Sequence, residues 1–143
     1  MKNFAEYLSS GMVRKQKANP ERAKSLLAEA EKKRAFMVKV IENFSLRETE
    51  ANFVVESCYD ILIELIRAKM FFDSYNSQSS HEAEVSYLGL LSFSNAEILF
   101  MDELRYFRNG IKYYGRIMDF EYVQKVLEFH NRIYPRLRMR CRA

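Results

Sequence analysis

The sequence has few residues of the kinds that interrupt helices. Its 143 residues include four Gly, two Pro and no Trp. Runs in which Val, Ile or Thr alternate with polar residues between turn pairs are absent, which argues against a β-sheet. Ala, Leu, Glu, Lys, Arg and Met, which favour helices, dominate the long segments. We therefore predict one all-α domain covering residues 1–143, an ordinary length for a single domain.

Long apolar runs are also absent. Stretches such as Ile61-Leu62-Ile63 reach a charged residue long before the ~20 residues needed to span a bilayer. The segment Met1-Lys2-Asn3-Phe4-Ala5-Glu6 lacks the apolar core of a signal peptide. We expect no membrane span and a cytoplasmic location.

Cysteine and histidine are scarce, with two of each. Cys58 falls in an apolar seam and Cys141 in a basic segment, so their spacing predicts neither a disulfide framework nor a metal site. Core packing is the favoured role of Cys58. His130 lies among apolar residues and is expected to be packed and hydrogen-bonded, while His81 is expected in the first turn of a short helix. We expect no metal and no cofactor.

Apolar residues recur at spacings of three and four along most of the chain, which is typical of amphipathic helices. A short helix or an N-terminal arm is expected within residues 1–18, with the helix itself at about 3–14, and a basic tail over 139–143. Short connections between long helices favour antiparallel neighbours, so we predict an up-and-down four-helix bundle with an additional short helix at one end. The predicted helices are 20–44, 47–73, 80–90, 95–114 and 120–138.

Helix starts are marked by capping residues, whose side chains accept from backbone N–H groups of the first turn. Three Ser residues are each followed three positions later by Glu, as in a capping box. Asn19 precedes a Pro at the first helical position, where its missing N–H has no cost. The predicted caps are Ser45 with Glu48, Ser79 with Glu82, Ser94 with Glu97, Asn19, and Asp119.

The helix over 95–114 has two contrasting faces. Helical spacing places its basic residues on one side and its apolar residues on the other. The basic residues are Arg105, Arg108, Lys112 and Arg116, and the apolar residues are Phe100, Leu104, Phe107, Ile111 and Tyr114.

Arg108 lies at the margin between these faces and is the first candidate for function. Its planar guanidinium suits phosphate oxygens better than an ammonium does. The candidate binding site comprises Arg108, Asn109, Lys112 and Tyr113, with Arg105 and Asp102 orienting it. The alternative interpretation is that Arg105 pairs with Asp102, that Arg108 and Lys112 are solvated, and that Tyr113 fills a surface groove.

The segment Met101–Gly115 resembles the HEPN family (higher eukaryotes and prokaryotes nucleotide-binding domain), small helical domains whose late helix carries Arg, a polar residue and a later His. Arg108 and Asn109 match the first two elements, but Tyr113, Tyr114 and Gly115 hold the positions of the His. The stretches Asp102-Glu103-Leu104-Arg105 and Ser80-His81-Glu82-Ala83 also look like the family. The resemblance covers most of residues 20–138.

In HEPN ribonucleases the Arg and His act in a cleft between two protomers, where an RNA 2′-hydroxyl attacks the adjacent phosphate. That chemistry needs a proton acceptor near neutrality, which a phenol such as Tyr113 does not supply. The resemblance therefore implies a module that binds nucleotide or RNA phosphates, or docks a partner protein, without ribonuclease activity. It also implies a nucleotidyltransferase partner in a toxin–antitoxin-type pair, with Tyr113 or Tyr114 accepting a nucleotide.

Two alternatives remain open from the sequence. One is a metal-independent ribonuclease that uses Arg108 with Tyr113 or His81. The other is a structural helical adaptor read by another protein.

Aromatic residues are abundant, with 11 Phe and 9 Tyr. A small bundle cannot hide them all, and Tyr and Phe are enriched in subunit interfaces, so we predict a homodimer. If the late helices pair across a two-fold axis, the two Arg108 side chains approach one groove.

Overall fold

The computed structural model describes residues 2–115 and 117–142, and for residues 112–114 it describes the backbone alone. Within these ranges the protein is all-α, as the sequence predicts. The helices are α1 Phe4–Ser9, α2 Pro20–Glu48, α3 Ala51–Phe72, α4 His81–Ser86, α5 Asn95–Tyr114 and α6 Phe120–Arg140, with a 3₁₀ turn over Tyr87–Leu91. None of the helices in the described ranges is long and apolar enough to cross a bilayer.

Two short strands were not predicted. β1 (Arg14–Lys15) pairs antiparallel with β2 (Tyr75–Asn76), so the N-terminal arm is tied to the polar segment that follows α3. The ring of Phe4 on α1 adds an edge-on contact with Tyr75, at 5.1 Å between ring centroids. Strands of two residues are too short to show an alternating pattern, which explains why the sequence did not reveal them.

Helix α3 is the central element of the fold. It contacts α2, α4, α5 and α6, and apolar residues are buried on all sides of it. Because a helix surrounded by others needs little polar surface, apolar residues outnumber polar ones along α3. Its fully buried residues include Val54, Val55, Cys58, Tyr59, Ile61, Leu62, Leu65, Ile66 and Ala68.

Three of the predicted caps are confirmed. The Ser94 Oγ accepts from the Glu97 N–H at 3.1 Å, and the Glu97 carboxylate accepts from the Ser94 N–H at 2.9 Å. Asn19 accepts from Arg22 N–H at the start of α2, and Asp119 accepts from Tyr122 N–H at the start of α6. Local hydrogen bonds of this kind fix where a helix begins, so they can be read from the sequence.

The predicted start of α3 at Ser45 is wrong. Ser45 adopts φ 63° and ψ 158°, which kinks α2 near its end, and the helical turns continue to Glu48. The Glu48 N–H lies 3.4 Å from the Ser45 Oγ. The predicted capping contact therefore exists, but it lies within the kink of α2 and not at the start of α3. Helix α3 begins later, where the Glu50 carboxylate accepts from Phe53 N–H at 2.7 Å.

Helix α6 packs on α3 through Cys58 and His130, both fully buried. The Cys58 Sγ lies 3.7 Å from the Met37 Sδ, and the His130 Nδ1 lies 3.1 Å from the Cys58 carbonyl oxygen. The predicted packing roles of both residues are confirmed. The segment expected to be a basic tail begins inside α6, and Cys141 is buried with its thiol directed to the Leu65 carbonyl at 3.3 Å.

Candidate functional site

The beginning of α4 and the middle of α5 face each other across a cleft with a volume of about 440 Å³. We call it the Arg108 cleft. It brings together Arg105, Arg108 and Asn109 of the predicted site and His81 of the alternative site. Its walls are Met12, Ser79, Ser80, His81, Glu82, Arg105, Arg108 and Asn109.

Helix α4 is positioned by Ser80, whose hydroxyl accepts from Ala83 N–H at 3.2 Å. The predicted capping box at Ser79 and Glu82 is therefore wrong, and the N-cap is Ser80 alone. Ser79 adopts φ 65°, a left-handed conformation, whereas an N-cap residue has extended backbone angles. Ser80 has those angles and leaves His81 as the first residue of the helix, as expected.

Arg108 is held by a residue that sequence reasoning missed. Its Nε donates to the Asp60 Oδ1 at 3.1 Å and its Nη2 to the Asp60 Oδ2 at 3.2 Å, across the space between α5 and α3. The Arg108 side chain is only 17% exposed. A paired, mostly covered guanidinium contradicts the interpretation of Arg108 as a solvated side chain.

Arg105 pairs with Asp102, from Nε to Oδ1 at 2.8 Å, as the alternative interpretation predicted. Its Nη1 also lies 3.7 Å from the Oε1 of Glu82, whose other oxygen accepts from the Tyr7 hydroxyl at 3.2 Å. Asp102 borders a neighbouring depression and is not part of the cleft wall. Its orienting role stays a prediction.

His81 is anchored by Tyr59 of α3, with 3.0 Å between the His81 Nδ1 and the phenol oxygen. Burial lowers the pKa of His81, and this effect outweighs the negative charges of Glu84 and Asp60, which act in the opposite direction. The lowered pKa favours the neutral ring near pH 7. Burial raises the pKa of Tyr59, and the phenol keeps its proton.

The position of the His81 proton follows from the needs of the Tyr59 hydroxyl. Tyr59 is fully buried, and within the described part of the chain His81 is its one hydrogen-bond partner. A buried O–H without an acceptor is costly, so the phenol donates to Nδ1. In the neutral ring the proton then resides on Nε2, and His81 itself lines the cleft.

Glu84 anchors α4 beneath the cleft. It is fully buried, and its carboxylate accepts from the Arg67 Nε at 2.5 Å and the Arg67 Nη2 at 2.9 Å. The Ser77 hydroxyl donates to the same carboxylate at 2.7 Å. These bonds tie α4 to α3 and to the preceding loop, which fixes the position of His81.

The cleft is not a basic patch. Two guanidinium groups are accompanied by the carboxylates of Asp60, Asp102 and Glu82. Binding of an anion must therefore depend on directed N–H donors, and within the described residues the Arg108 Nη1 and the Arg105 Nη2 have no hydrogen-bond partner. Over residues 2–115 and 117–142 no group of His, Cys, Asp and Glu is arranged to hold a metal ion.

The side chains of Lys112, Tyr113 and Tyr114 lie outside the described part of the structure, as does the whole of Arg116. This includes part of the predicted site. Gly115 is described, and it ends α5 with φ 66°, its N–H donating to the Gly110 carbonyl. This left-handed cap suits Gly and would strain a His at that position.

Tyr59 and Asp60 contact residues of the cleft, and the sequence pattern did not indicate them. They lie on α3, 48 residues before Arg108 in the case of Asp60. The available signal was the pair itself, a phenol and a carboxylate between the apolar stretches of α3. Nothing in the local pattern indicates which helix they face.

Comparison of the chain with models of known protein families, with curated proteins and with solved structures gave no match in any of the three. The HEPN resemblance therefore depends on short residue motifs and helix order alone.

Proposed function

We propose that the protein is a HEPN-like module in which α2, α3, α5 and α6 form an up-and-down bundle and the Arg108 cleft binds a phosphate group of a nucleotide or an RNA. The observation that carries this proposal is the convergence of Arg105, Arg108 and His81 on one cleft. Its volume of about 440 Å³ is within the range of small-molecule sites.

The carboxylates support this function by orienting the guanidinium groups. Asp60 takes two donors of Arg108 and Asp102 takes one of Arg105, which leaves Nη donors available in fixed directions. A preorganised donor loses less conformational entropy on binding than a free side chain does. The His81 Nε2–H and the Asn109 amide supply further neutral donors to phosphate oxygens.

The arrangement favours binding over ribonuclease activity. A general base at this site would need an unprotonated ring nitrogen directed at the ligand. The assigned His81 tautomer presents Nε2–H there, because the Tyr59 hydroxyl occupies Nδ1.

Thermal unfolding with and without ATP, AMP and a short RNA tests the proposal. A ligand about a hundredfold above its Kd stabilises the folded state by about 2.7 kcal/mol, which raises the midpoint by several degrees. We expect this rise in the wild type and its loss in Arg108→Ala. Arg138→Ala is the matched control, since Arg138 pairs with Glu31 on the surface, away from the cleft. No rise with any of the ligands would refute phosphate binding.

The HEPN resemblance also leads us to propose a homodimer and a nucleotidyltransferase partner. Incubation with a cognate nucleotidyltransferase and ATP, followed by mass spectrometry, should reveal a nucleotide on the peptide that contains Tyr113 and Tyr114. An unmodified peptide would argue against that partner.

A metal-independent ribonuclease is the second candidate, and the observation that favours it is His81 beside Arg108 in the same cleft. With the proton on Nδ1 in place of Nε2, His81 Nε2 would accept the 2′-hydroxyl proton. The 2′-oxygen would attack the phosphate to form a cyclic phosphate, the 5′-oxygen would leave with a proton taken from water, and Arg108 would stabilise the phosphate charge. Cleavage of RNA by the wild type but not by His81→Gln or Arg108→Ala supports this candidate, and intact RNA after long incubation removes it.

A further inference from the structure

An apolar face on α2 and α3 remains open to solvent. Phe36 and Phe44 of α2 are 60% and 58% exposed, and Val40 lies between them. The ring of Phe53 on α3 meets Phe36 edge-on at 6.3 Å between centroids. We call Phe36, Val40, Phe44 and Phe53 the Phe36 face. Exposed apolar residues that adjoin one another mark an interaction surface more often than scattered ones do.

The Phe36 face forms one continuous groove. Two adjoining depressions, of about 370 and 500 Å³, share Phe36 and Phe53 in their walls. The first extends to Lys32 and Asp60, and the second extends to Glu48, beyond the kink of α2. The groove is therefore apolar in its middle, with a Lys near one end and a Glu near the other.

The order of residue types along α2 in this groove is symmetric about its centre, except that the two ends carry opposite charges. Lys32, Phe36, Val40, Phe44 and Glu48 follow one another at four-residue intervals, so they form one stripe of the helix surface up to the kink. Reversal of this order exchanges the two Phe residues and places each charge opposite its counter-charge.

We propose that the Phe36 face is the surface through which two copies of this chain associate, antiparallel, around a two-fold axis near Val40. In such an isologous interface each contact occurs twice. Phe36 meets Phe44 of the partner subunit, and Lys32 meets Glu48 of the partner subunit. The exposed rings are covered and both charges are paired.

The two charges are available for this role. Neighbouring charged residues are already used within the chain, since Lys33 pairs with Glu64 and Glu50 caps α3. Lys32 and Glu48 have no side-chain ion pair among the described residues. A partner of a single sign of charge would match one end of the groove and oppose the other, whereas a second copy matches both.

This surface differs from the late-helix pairing predicted from the sequence, and it is independent of phosphate binding. Asp60 lines one end of the groove and also binds Arg108, so the interface extends to the rear of the Arg108 cleft. Arg108, the partner of Asp60, lines the Arg108 cleft itself. Loss of the dimer and loss of ligand binding are thus separate readouts.

Sedimentation equilibrium of the full chain at tens of micromolar provides the first test. We expect a dimer for the wild type, a monomer for Phe44→Asp, and an unchanged dimer for Tyr106→Glu, which alters an exposed residue of α5. Phe44 is mostly exposed, so the substitution leaves the fold intact, which circular dichroism verifies. A monomeric wild type would overturn the proposal, as would a dimer that survives Phe44→Asp but is lost in Tyr106→Glu.

Charge reversal provides the second test. Lys32→Glu or Glu48→Lys replaces two attractive contacts with two repulsive ones, and we expect each to weaken dimerisation about tenfold or more at low salt. The double variant restores both attractions and should dimerise like the wild type. Lys24→Glu and Glu42→Lys are matched controls on the opposite flank of α2, where both residues are exposed. Failure of the double variant to recover, or equal weakening in the controls, would refute the antiparallel pairing.

Discussion

His81 and His130 lie on different helices, but each ring contacts one of two adjacent residues of α3. The surroundings of the two rings nevertheless differ. The His81 Nδ1 contacts the Tyr59 hydroxyl, and the His130 Nδ1 contacts the carbonyl oxygen of Cys58, the preceding residue of α3. His81 is partly exposed and opens into the Arg108 cleft, whereas His130 is fully buried between α3 and α6. Both rings are anchored by α3, but one of them can reach a ligand.

Burial lowers the pKa of both rings, and it lowers that of His130 to about 4. The His130 Nε2 is buried and has no hydrogen-bond partner within the described residues. A proton on that nitrogen would therefore be unsatisfied, and the nearby positive charge of Arg34 opposes it further. The comparison shows that access to solvent, and not the identity of the side chain, separates a candidate ligand-binding His from a packing one.

The largest effect is expected from Glu84→Ala, which removes the carboxylate that holds α4, and with it His81, in place. It leaves the Arg67 charge and the Ser77 hydroxyl without their acceptor in a mostly buried setting, and we expect a loss of about 3–5 kcal/mol in the free energy of unfolding. Urea denaturation measures this loss. Glu42→Ala, at an exposed site, should stay within about 0.5 kcal/mol of the wild type. Similar values for the two variants would show that Glu84 does not hold the cleft together.

The pH dependence of stability should reveal His130. Its folded-state pKa of about 4 lies below the ordinary value of 6.5, so at intermediate pH the unfolded state binds more protons. The stability that the neutral ring allows is complete above pH 6.5 and is lost as the pH falls to about 4, by about 3 kcal/mol.

Urea denaturation across this pH range, for the wild type and for His130→Gln, measures that loss. The variant keeps an N–H donor for the Cys58 carbonyl but cannot titrate, so its unfolding free energy should fall less steeply. Parallel curves for the two proteins would mean that other groups cause the acid sensitivity.

Tyr59→Phe should disturb the other His. Loss of the hydroxyl removes one buried hydrogen bond, worth about 1–2 kcal/mol of unfolding free energy. Since the phenol donates to the neutral form of His81, its removal should also raise the pKa of His81, which NMR titration of the ring measures. The pKa of His130 should be unaffected. A fall in the pKa of His81 would reverse the proton assignment and favour the ribonuclease candidate.

The smallest effect is expected from Glu82→Gln. Glu82 is exposed at the cleft wall, and its negative charge opposes the approach of a phosphate. Removal of the charge should strengthen binding of ATP or a short RNA by up to about 1 kcal/mol, roughly fivefold in Kd, as measured by isothermal titration calorimetry. Glu121→Gln, at an exposed position of α6, serves as the control. Equal affinity in both variants would indicate that ligand does not approach past Glu82.

Much of the fold could be predicted because its signals are local. The limits of α5 and the start of α6 agree with the prediction, since Ser94 and Asp119 cap these helices through bonds to residues three positions away. The kink at Ser45 could not be predicted in the same way. The same Ser–Glu spacing occurs there, but Ser45 has a positive φ. Its contact with the Glu48 N–H therefore lies within the kink of α2 and does not begin α3.

The candidate site likewise contains one ion pair that the sequence predicted and one that it could not predict. Arg105 with Asp102 is a pair at three residues' separation on one helix, and the sequence predicted it. The partner of Arg108 could not be predicted, because Asp60 is brought to it by the packing of α5 on α3. The side chains of Lys112 and Tyr113 lie outside the described residues, so their roles stay predictions.

The sequence alone is enough to predict the all-α class, most helix limits and the two faces of α5, because residue spacing and capping act within a few positions of the chain. The meeting of His81 and Arg108 in one cleft and the burial of His130 in the core arise instead from the tertiary fold. Both outcomes depend on which side of α3 each helix packs against, and that choice arises from contacts between residues far apart in the chain.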